Sequence, residues 1–200
     1  MDCLLTEEQN MIRDLCRQIA REKIKPVAAE YDEKEEFPWP IVKILAESDI
    51  TGVYIPEAYG GMGGGVFELA IATEELSWGC GGIALAFAAT GLGAFPILLF
   101  GNEEQKKKYL TKIAKGALAA FCITEAEAGS DAGSIKTTAV KDGDSYILNG
   151  TKQWITNGGE ADIYTVIAMT DKKKGARGAT AFIVDKDAKG LDFGKKEKKL

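Results

Sequence analysis

Chemistry in this chain has to come from carboxylates, hydroxyls, backbone amides or a bound cofactor, because its 200 residues include no histidine. That absence excludes a Ser-His-Asp triad, a Cys-His pair, an HExxH zinc site and a histidine general base. The densest polar segment runs Phe121-Cys122-Ile123-Thr124-Glu125-Ala126-Glu127-Ala128-Gly129-Ser130-Asp131-Ala132-Gly133-Ser134. An apolar strand leading into small residues, hydroxyls and glycines exposes N–H and O–H donors, as an anionic or planar polar ligand requires. By composition alone an ordinary Asx-rich loop accounts for it equally well. A second segment, Trp154-Ile155-Thr156, follows an Asn149-Gly150 hairpin signal. It presents an indole face and a hydroxyl together, although Trp154 taken alone reads as a core anchor. The two segments together favour a ligand site over a plain loop.

Other chemistries fail on spacing. The glycine-rich stretch Gly60 to Gly65 does not fit GxGxxG, since Val66 or Glu68 falls where the third glycine belongs. The only Gly-Lys pair, Gly194-Lys195, is preceded by Lys189 where a phosphate-binding loop needs glycine. Cys3, Cys16, Cys80 and Cys122 form no CxxC pair and read as reduced thiols, with no metal site. Residues 1–171 carry a net charge of −11 and residues 172–200 a net of +6. That basic tail has only Phe182 and Phe193 as aromatics and no nucleic-acid motif, so it reads as solvated loops and strand ends with no nucleic-acid partner. The start, Met1 to Glu8, has neither a basic nor an apolar leader region, and a cytoplasmic protein is expected.

The elements that must position these residues change character midway. Thr6-x-x-Gln9 is a capping box, followed by Met11, Ile12, Leu15, Cys16 and Ile19 at helical spacing. Pro26 breaks or restarts that helix, and Glu30 to Glu36 reads as a solvated face and loop. Pro40 opens a helix through Leu45, and another runs from Val66 to Trp78. Residues 76–102 are 27 positions without a charge. Their glycines and Pro96 argue against a membrane span and for a buried helix, Ile83 to Thr90, with a second apolar segment, Phe95 to Phe100. Asn102 caps a helix to Lys115, and Gly116 stops it. Six short strands are then expected: Ala119–Thr124, Thr137–Lys141, Ser145–Leu148, Thr151–Thr156, Ile163–Met169 and Ala179–Asp185. The fold class is therefore α+β: an N-terminal all-helical domain, 1–118, then an antiparallel β-barrel or sandwich domain, 119–200. The β portion reads as truncated, part of a longer polypeptide.

The order of these segments resembles the acyl-CoA dehydrogenases. The matching stretches are Thr6-Glu7-Glu8-Gln9, Pro56-Glu57-x-Tyr59-Gly60-Gly61, Phe100-Gly101-x-Glu103-Glu104-Gln105-Lys106, Thr124-Glu125-x-x-Ala128-Gly129-Ser130-Asp131, Leu148 to Gly158, and Phe182-Ile183-Val184. One departure is the Ala126-Glu127 pair, where the family usually has Pro-Gly. The resemblance implies FAD, bound along Phe121, Cys122, Ile123, Thr124, Gly129 and Ser130 and along Trp154, Ile155 and Thr156. It implies that Thr124 meets the pyrimidine edge of the isoalloxazine, Thr156 lies near its reactive nitrogen and Trp154 covers the ring. Ser130 would contact the pyrophosphate and the acyl-CoA substrate. The implied reaction is α,β-dehydrogenation of an acyl-CoA thioester to the trans-enoyl-CoA. The resemblance also implies that electrons would pass to an electron-transfer flavoprotein and that the full-length enzyme would be a homo-oligomer, dimer or tetramer. The family's catalytic glutamate lies on a C-terminal helical domain that this chain lacks. None of Glu68, Glu74, Glu75, Glu125 or Glu127 matches it, so the catalytic base is unassigned and the 200 residues alone are expected to be inactive. The alternatives are a catalytically inactive flavin- or acyl-CoA-binding module, and a flavin enoyl-CoA reductase or oxidase of the same family.

Overall fold

A computed structural model describes residues 5–198. Cys3 and the first residues of the leader reading lie outside that range. Helix α1 (Glu7–Ile19) starts where the sequence asks: Gln9 N–H donates to Thr6 Oγ1 at 3.2 Å and Thr6 N–H to Gln9 Oε1 at 3.0 Å. Its buried residues, Ile12, Cys16 and Ile19, form one stripe. Around Pro26 the helix loosens into a π turn, Ala20–Ile24, and a 3-10 turn, Lys25–Val27, that contains the proline. It then resumes as α2 (Ala28–Lys34), so most of the acidic run is helical rather than loop. Helix α3 (Trp39–Glu47) has Pro40 in its first turn.

Helices α4 (Val66–Gly79), α5 (Gly81–Phe100) and α6 (Glu103–Ala114) complete the helical half. The sequence reading split the uncharged stretch in two, yet α5 is one continuous helix with Pro96 inside it. The glycines taken as breaks are places of close approach. A Cβ on Gly93 would lie 2.8 Å from Ala119 Cβ, and one on Gly91 would lie 2.7 Å from Leu69 Cδ2. By length and composition α5 could cross a membrane, but 56% of its apolar window is buried inside the protein. There it packs on α4, α6 and the first strand. Its inner side joins Leu45, Tyr54, Ile55, Leu76, Leu110 and Ile113 in the main core. Each such side chain contributes about 1.5–3 kcal/mol by leaving water.

Asn102 caps α6, and Gly116, at φ 99°, turns the chain out of it. Five strands follow: β1 (Ala119–Cys122), β2 (Thr138–Asp142), β3 (Ser145–Asn149), β4 (Ile163–Met169) and β5 (Ala179–Asp185). They form a single sheet. On one side β4 pairs antiparallel with β5 along its whole length. On its other side it pairs with β1, and at Met169 with β2. The β2–β3 hairpin turns at Gly143, φ 58°. Tyr146 on β3 and Phe182 on β5 have ring centroids 5.1 Å apart, so the sheet curls until its two edges approach.

A helical half followed by a sheet half is thus present, with two corrections inside the sheet. It is only partly antiparallel, because β1–β4 and β2–β4 run parallel. A parallel pair needs a long crossover, and the stretch 123–162, hairpin included, supplies one with no more than a 3-10 turn at Ala132–Ser134. The strand expected at Thr151–Thr156 does not form, since Trp154 sits at φ 59°, outside the extended region. The first strand also ends at Cys122, before Thr124.

Candidate functional site

The two polar segments meet where β1 runs out. Gln153 N–H donates to the Thr124 carbonyl at 2.9 Å. Beside it, Lys152 Nζ donates to the Ile123 carbonyl at 3.0 Å and to Glu125 Oε1 at 2.7 Å. Glu125 also accepts from Lys136 N–H at 2.6 Å, from Thr137 N–H at 3.0 Å and from Thr137 Oγ1 at 2.6 Å. Both members of the ion pair are nearly buried, Lys152 at 10% and Glu125 at 8% side-chain exposure. Burial by itself would raise the Glu125 carboxyl. The Lys152, Thr137 and backbone donors overcome that and hold it at about 2, so it is a carboxylate.

Residues 154–156 then alternate outward and inward. Ile155 packs against the small core of Val42, Ala86, Leu118, Ala120 and Cys122. Trp154, 66% exposed, and Thr156 remain on the surface. Asn157 ends the turn in the left-handed region at φ 65°. Its Nδ2 donates to Ala86 O at 2.9 Å, to Thr90 Oγ1 at 3.3 Å and to Ala119 O at 3.3 Å. This turn is therefore tied to α5 and to β1 at one end and to the residues after β1 at the other.

The remaining residues divide plainly. Gly129 and Ser130 lie on an exposed loop, and a Cβ on Gly129 would meet nothing within 4 Å. The loop follows a tight turn in which Glu125 N–H donates to Ala128 O at 3.0 Å and Ala128 N–H to Glu125 O at 3.2 Å. Ala126 and Glu127 are the exposed corners of that turn, and Glu127 pairs with Lys136, so the departure from Pro-Gly leaves no lone charge there. Phe121 and Ile123 are half-buried. Cys122 faces the core, and burial pushes its thiol up to about 12, so it contributes backbone and packing rather than sulfur chemistry.

An FAD of the kind the resemblance implies fits this donor set. The hydroxyls of Thr124, Ser130 and Thr156 take no protein partner among the described residues, and the Trp154 indole stands clear of the core. A planar polar ring with an anionic tail uses such donors and such an apolar face. No group of three or more His, Cys, Asp or Glu able to hold a metal exists among the described residues. An open groove lined by Trp39, Pro40, Val42 and Ala46, between Lys43 and Lys115, offers no hydroxyl or carboxylate. Reading from sequence alone missed Lys152, Glu125, Thr137 and Asn157 as the residues that hold the site. The available signals were a lone lysine between the hairpin and the tryptophan, and an asparagine before glycine, which tolerates positive φ.

Known proteins resemble this chain in sequence and fold. Residues 6–117 match the family model for the acyl-CoA dehydrogenase N-terminal domain, and residues 120–200 match the model for the middle domain. A short-chain-specific acyl-CoA dehydrogenase of Clostridium acetobutylicum is 46% identical over 202 aligned positions, which cover 100% of this chain and 53% of that protein. The butyryl-CoA dehydrogenase structure from Megasphaera elsdenii is similar at a TM-score of 0.93 and 43% identity, covering 100% of this chain and 54% of its own. A chain solved in work on the electron transferring flavoprotein of Acidaminococcus fermentans is similar at a TM-score of 0.95 and 46% identity, with 100% and 53% covered. The chain thus spans about half the length of the relatives it matches. Two consecutive family models on a helical half and a curled sheet, with the polar segments at their junction, leave one assignment: the chain belongs to the acyl-CoA dehydrogenase family.

Proposed function

We propose that this chain forms the FAD-holding part of an enzyme that dehydrogenates an acyl-CoA thioester across its α,β bond to the trans-enoyl-CoA. The observation that carries the reading is the outward-facing Trp154–Thr156 turn, laced at Gln153 to Thr124 at the end of β1. In this reading Thr124 and Thr156 donate to the polar edge of the isoalloxazine, and the Trp154 indole covers it from water. The backbone of residues 121–123 forms the wall behind it. Ser130 and the open backbone at Gly129 meet the pyrophosphate, and Ser130 also contacts the substrate. When bound, the flavin supplies a two-electron acceptor for the hydride from the β carbon.

The base that removes the α proton is not assigned to these residues. Glu68 accepts from Gln9 and Gly65, Glu75 from Arg17, Glu125 from Lys152, and Glu127 from Lys136. A carboxylate so engaged is poorly placed to abstract a proton from a bound substrate. The base is accordingly proposed to lie in the half of the family's length that this chain does not span. Residues 1–200 alone are then inactive. Leu85, Leu92 and Leu99 recur at seven-residue intervals on the exposed side of α5, with Phe100 beyond them. An uncovered stripe of that kind supports further chain or a second subunit lying over α5. We further propose a homo-oligomer, dimer or tetramer, that is cytoplasmic and passes electrons to an electron-transfer flavoprotein.

The test is anaerobic flavin bleaching by short, medium and branched acyl-CoA thioesters, followed with the full-length enzyme and with residues 1–200, and then reoxidation by an electron-transfer flavoprotein. Bleaching by the full-length enzyme alone is expected. Absence of flavin from the full-length enzyme, or flavin that no acyl-CoA bleaches, overturns the reading.

A further inference from the structure

The Trp154–Thr156 turn needs something to hold it. A tryptophan in the left-handed region is disfavoured, and such conformations persist only where the surroundings over-determine them. Here the surroundings are two anchors. At the far end Asn157 Nδ2 reaches three acceptors on α5 and β1. At the near end both recorded partners of Lys152 Nζ, Ile123 O and Glu125 Oε1, belong to the segment that carries Thr124 and Ser130. Between the anchors, Ile155 is the inward-packed residue.

We propose that Lys152 is a positioning residue: with Glu125 it fixes the near end of the Trp154–Thr156 turn against the end of β1, so that the indole and the Thr156 hydroxyl are presented in one conformation to the flavin. The proposal rests on the flavin reading above. The geometry favours it over a purely structural role for the pair. Without Lys152, Glu125 would still accept from Lys136 N–H, Thr137 N–H and Thr137 Oγ1. The sheet side of the network therefore stays satisfied, while the turn loses its cation clamp and keeps only the Gln153–Thr124 backbone bond at that end. The charge matters as well as the reach, because hydrogen bonds between ionised partners are roughly twice as strong as neutral ones.

The test is a double-mutant cycle on FAD affinity in the full-length enzyme, read by flavin fluorescence quenching. Lys152→Met is expected to weaken FAD binding about tenfold or more. In a Trp154→Ala, Thr156→Val background the same substitution is expected to change affinity by less than about twofold, since the groups it positions are gone. Lys152→Arg, which keeps the charge and several N–H donors, is expected to recover part of the loss. An equal loss in both backgrounds, or no loss in either, overturns the proposal. If Lys152→Met does not fold, Lys152→Gln, polar and without the charge, replaces it in the cycle. A flavin-independent arm measures the fluorescence anisotropy of Trp154 in apo protein with every other tryptophan, Trp39 and Trp78 among them, changed to Phe. Lys152→Met should lower that anisotropy, and an unchanged value counts against the proposal. If the unsubstituted enzyme binds no FAD the functional reading falls, whereas normal FAD binding with an inert Lys152→Met sinks only this inference.

Discussion

Asn157 Nδ2 lies 2.9 Å from the carbonyl of Ala86, a side-chain bond that joins the sheet half to the central helix across 71 positions of sequence. Asn157 is 6% exposed and its backbone is left-handed. Asn157→Ala loses the anchor and strains the backbone, and is expected to cost about 2 kcal/mol or more. Asn157→Gly loses the anchor alone and should cost less than Asn157→Ala. Urea denaturation midpoints of the two variants check the order. Equal midpoints would mean that φ 65° carries no strain.

Trp154 combines positive φ with high exposure. Trp154→Gly should therefore leave stability unchanged or raise it by about 1 kcal/mol, because glycine accepts the conformation freely and little burial is lost. Trp154→Ala keeps the strain and should not gain. Both variants, and Thr156→Val, should weaken FAD retention or shift the flavin spectrum. Thermal unfolding of the apo proteins and absorbance of the loaded ones separate the two effects.

Glu125 predicts an acid dependence of known sign. Its carboxyl is held at about 2, below the ordinary 4.5, by the Lys152 ammonium, Thr137 and the backbone donors, against the opposing effect of burial. A depressed carboxyl stabilises the fold above its unfolded value and loses that contribution as pH falls from about 4.5 towards 2. The contribution at neutral pH is on the order of 3 kcal/mol. Denaturant midpoints of wild type and Glu125→Gln should differ above pH 4.5 and converge below it. A gap that stays constant with pH would show that the carboxyl titrates normally.

Gly93 tests the junction between helix and sheet. A methyl group there would lie 2.8 Å from Ala119 Cβ and 2.9 Å from Ala120 N. Gly93→Ala gains helix propensity in α5 but forces α5 and β1 apart, and overpacking of that kind costs about 1–3 kcal/mol. Gly129→Ala, with open space around its Cβ, is the matched control and should be near neutral for apo stability. Urea unfolding of the pair gives the comparison.

Local chemistry was enough to place several helix ends. The Thr6–Gln9 capping box, Pro40 in a first turn, the Asn102 cap and the Gly116 stop each depend on neighbours a few residues away, and each occurs where those residues dictate. The absence of histidine and the failure of the nucleotide-loop spacings likewise needed no coordinates. The hairpin at Asp142-Gly143 is local too. Tertiary structure decided what depends on partners far along the chain. Gly91 and Gly93 look like helix breakers in isolation and are contact points once Leu69 and Ala119 lie against them. The parallel pairing of β1 with β4 spans the whole β2–β3 insertion, and strand periodicity is the same for parallel and antiparallel neighbours. Residues 151–156 have strand-like composition but are bent by the Lys152 and Asn157 anchors, whose acceptors sit 27 to 71 positions away. A sequence pattern records which side chains a segment offers. Which of them face outward is set by the distant carbonyls and carboxylates that hold the backbone, and for Trp154 and Thr156 those partners exist only in the folded chain.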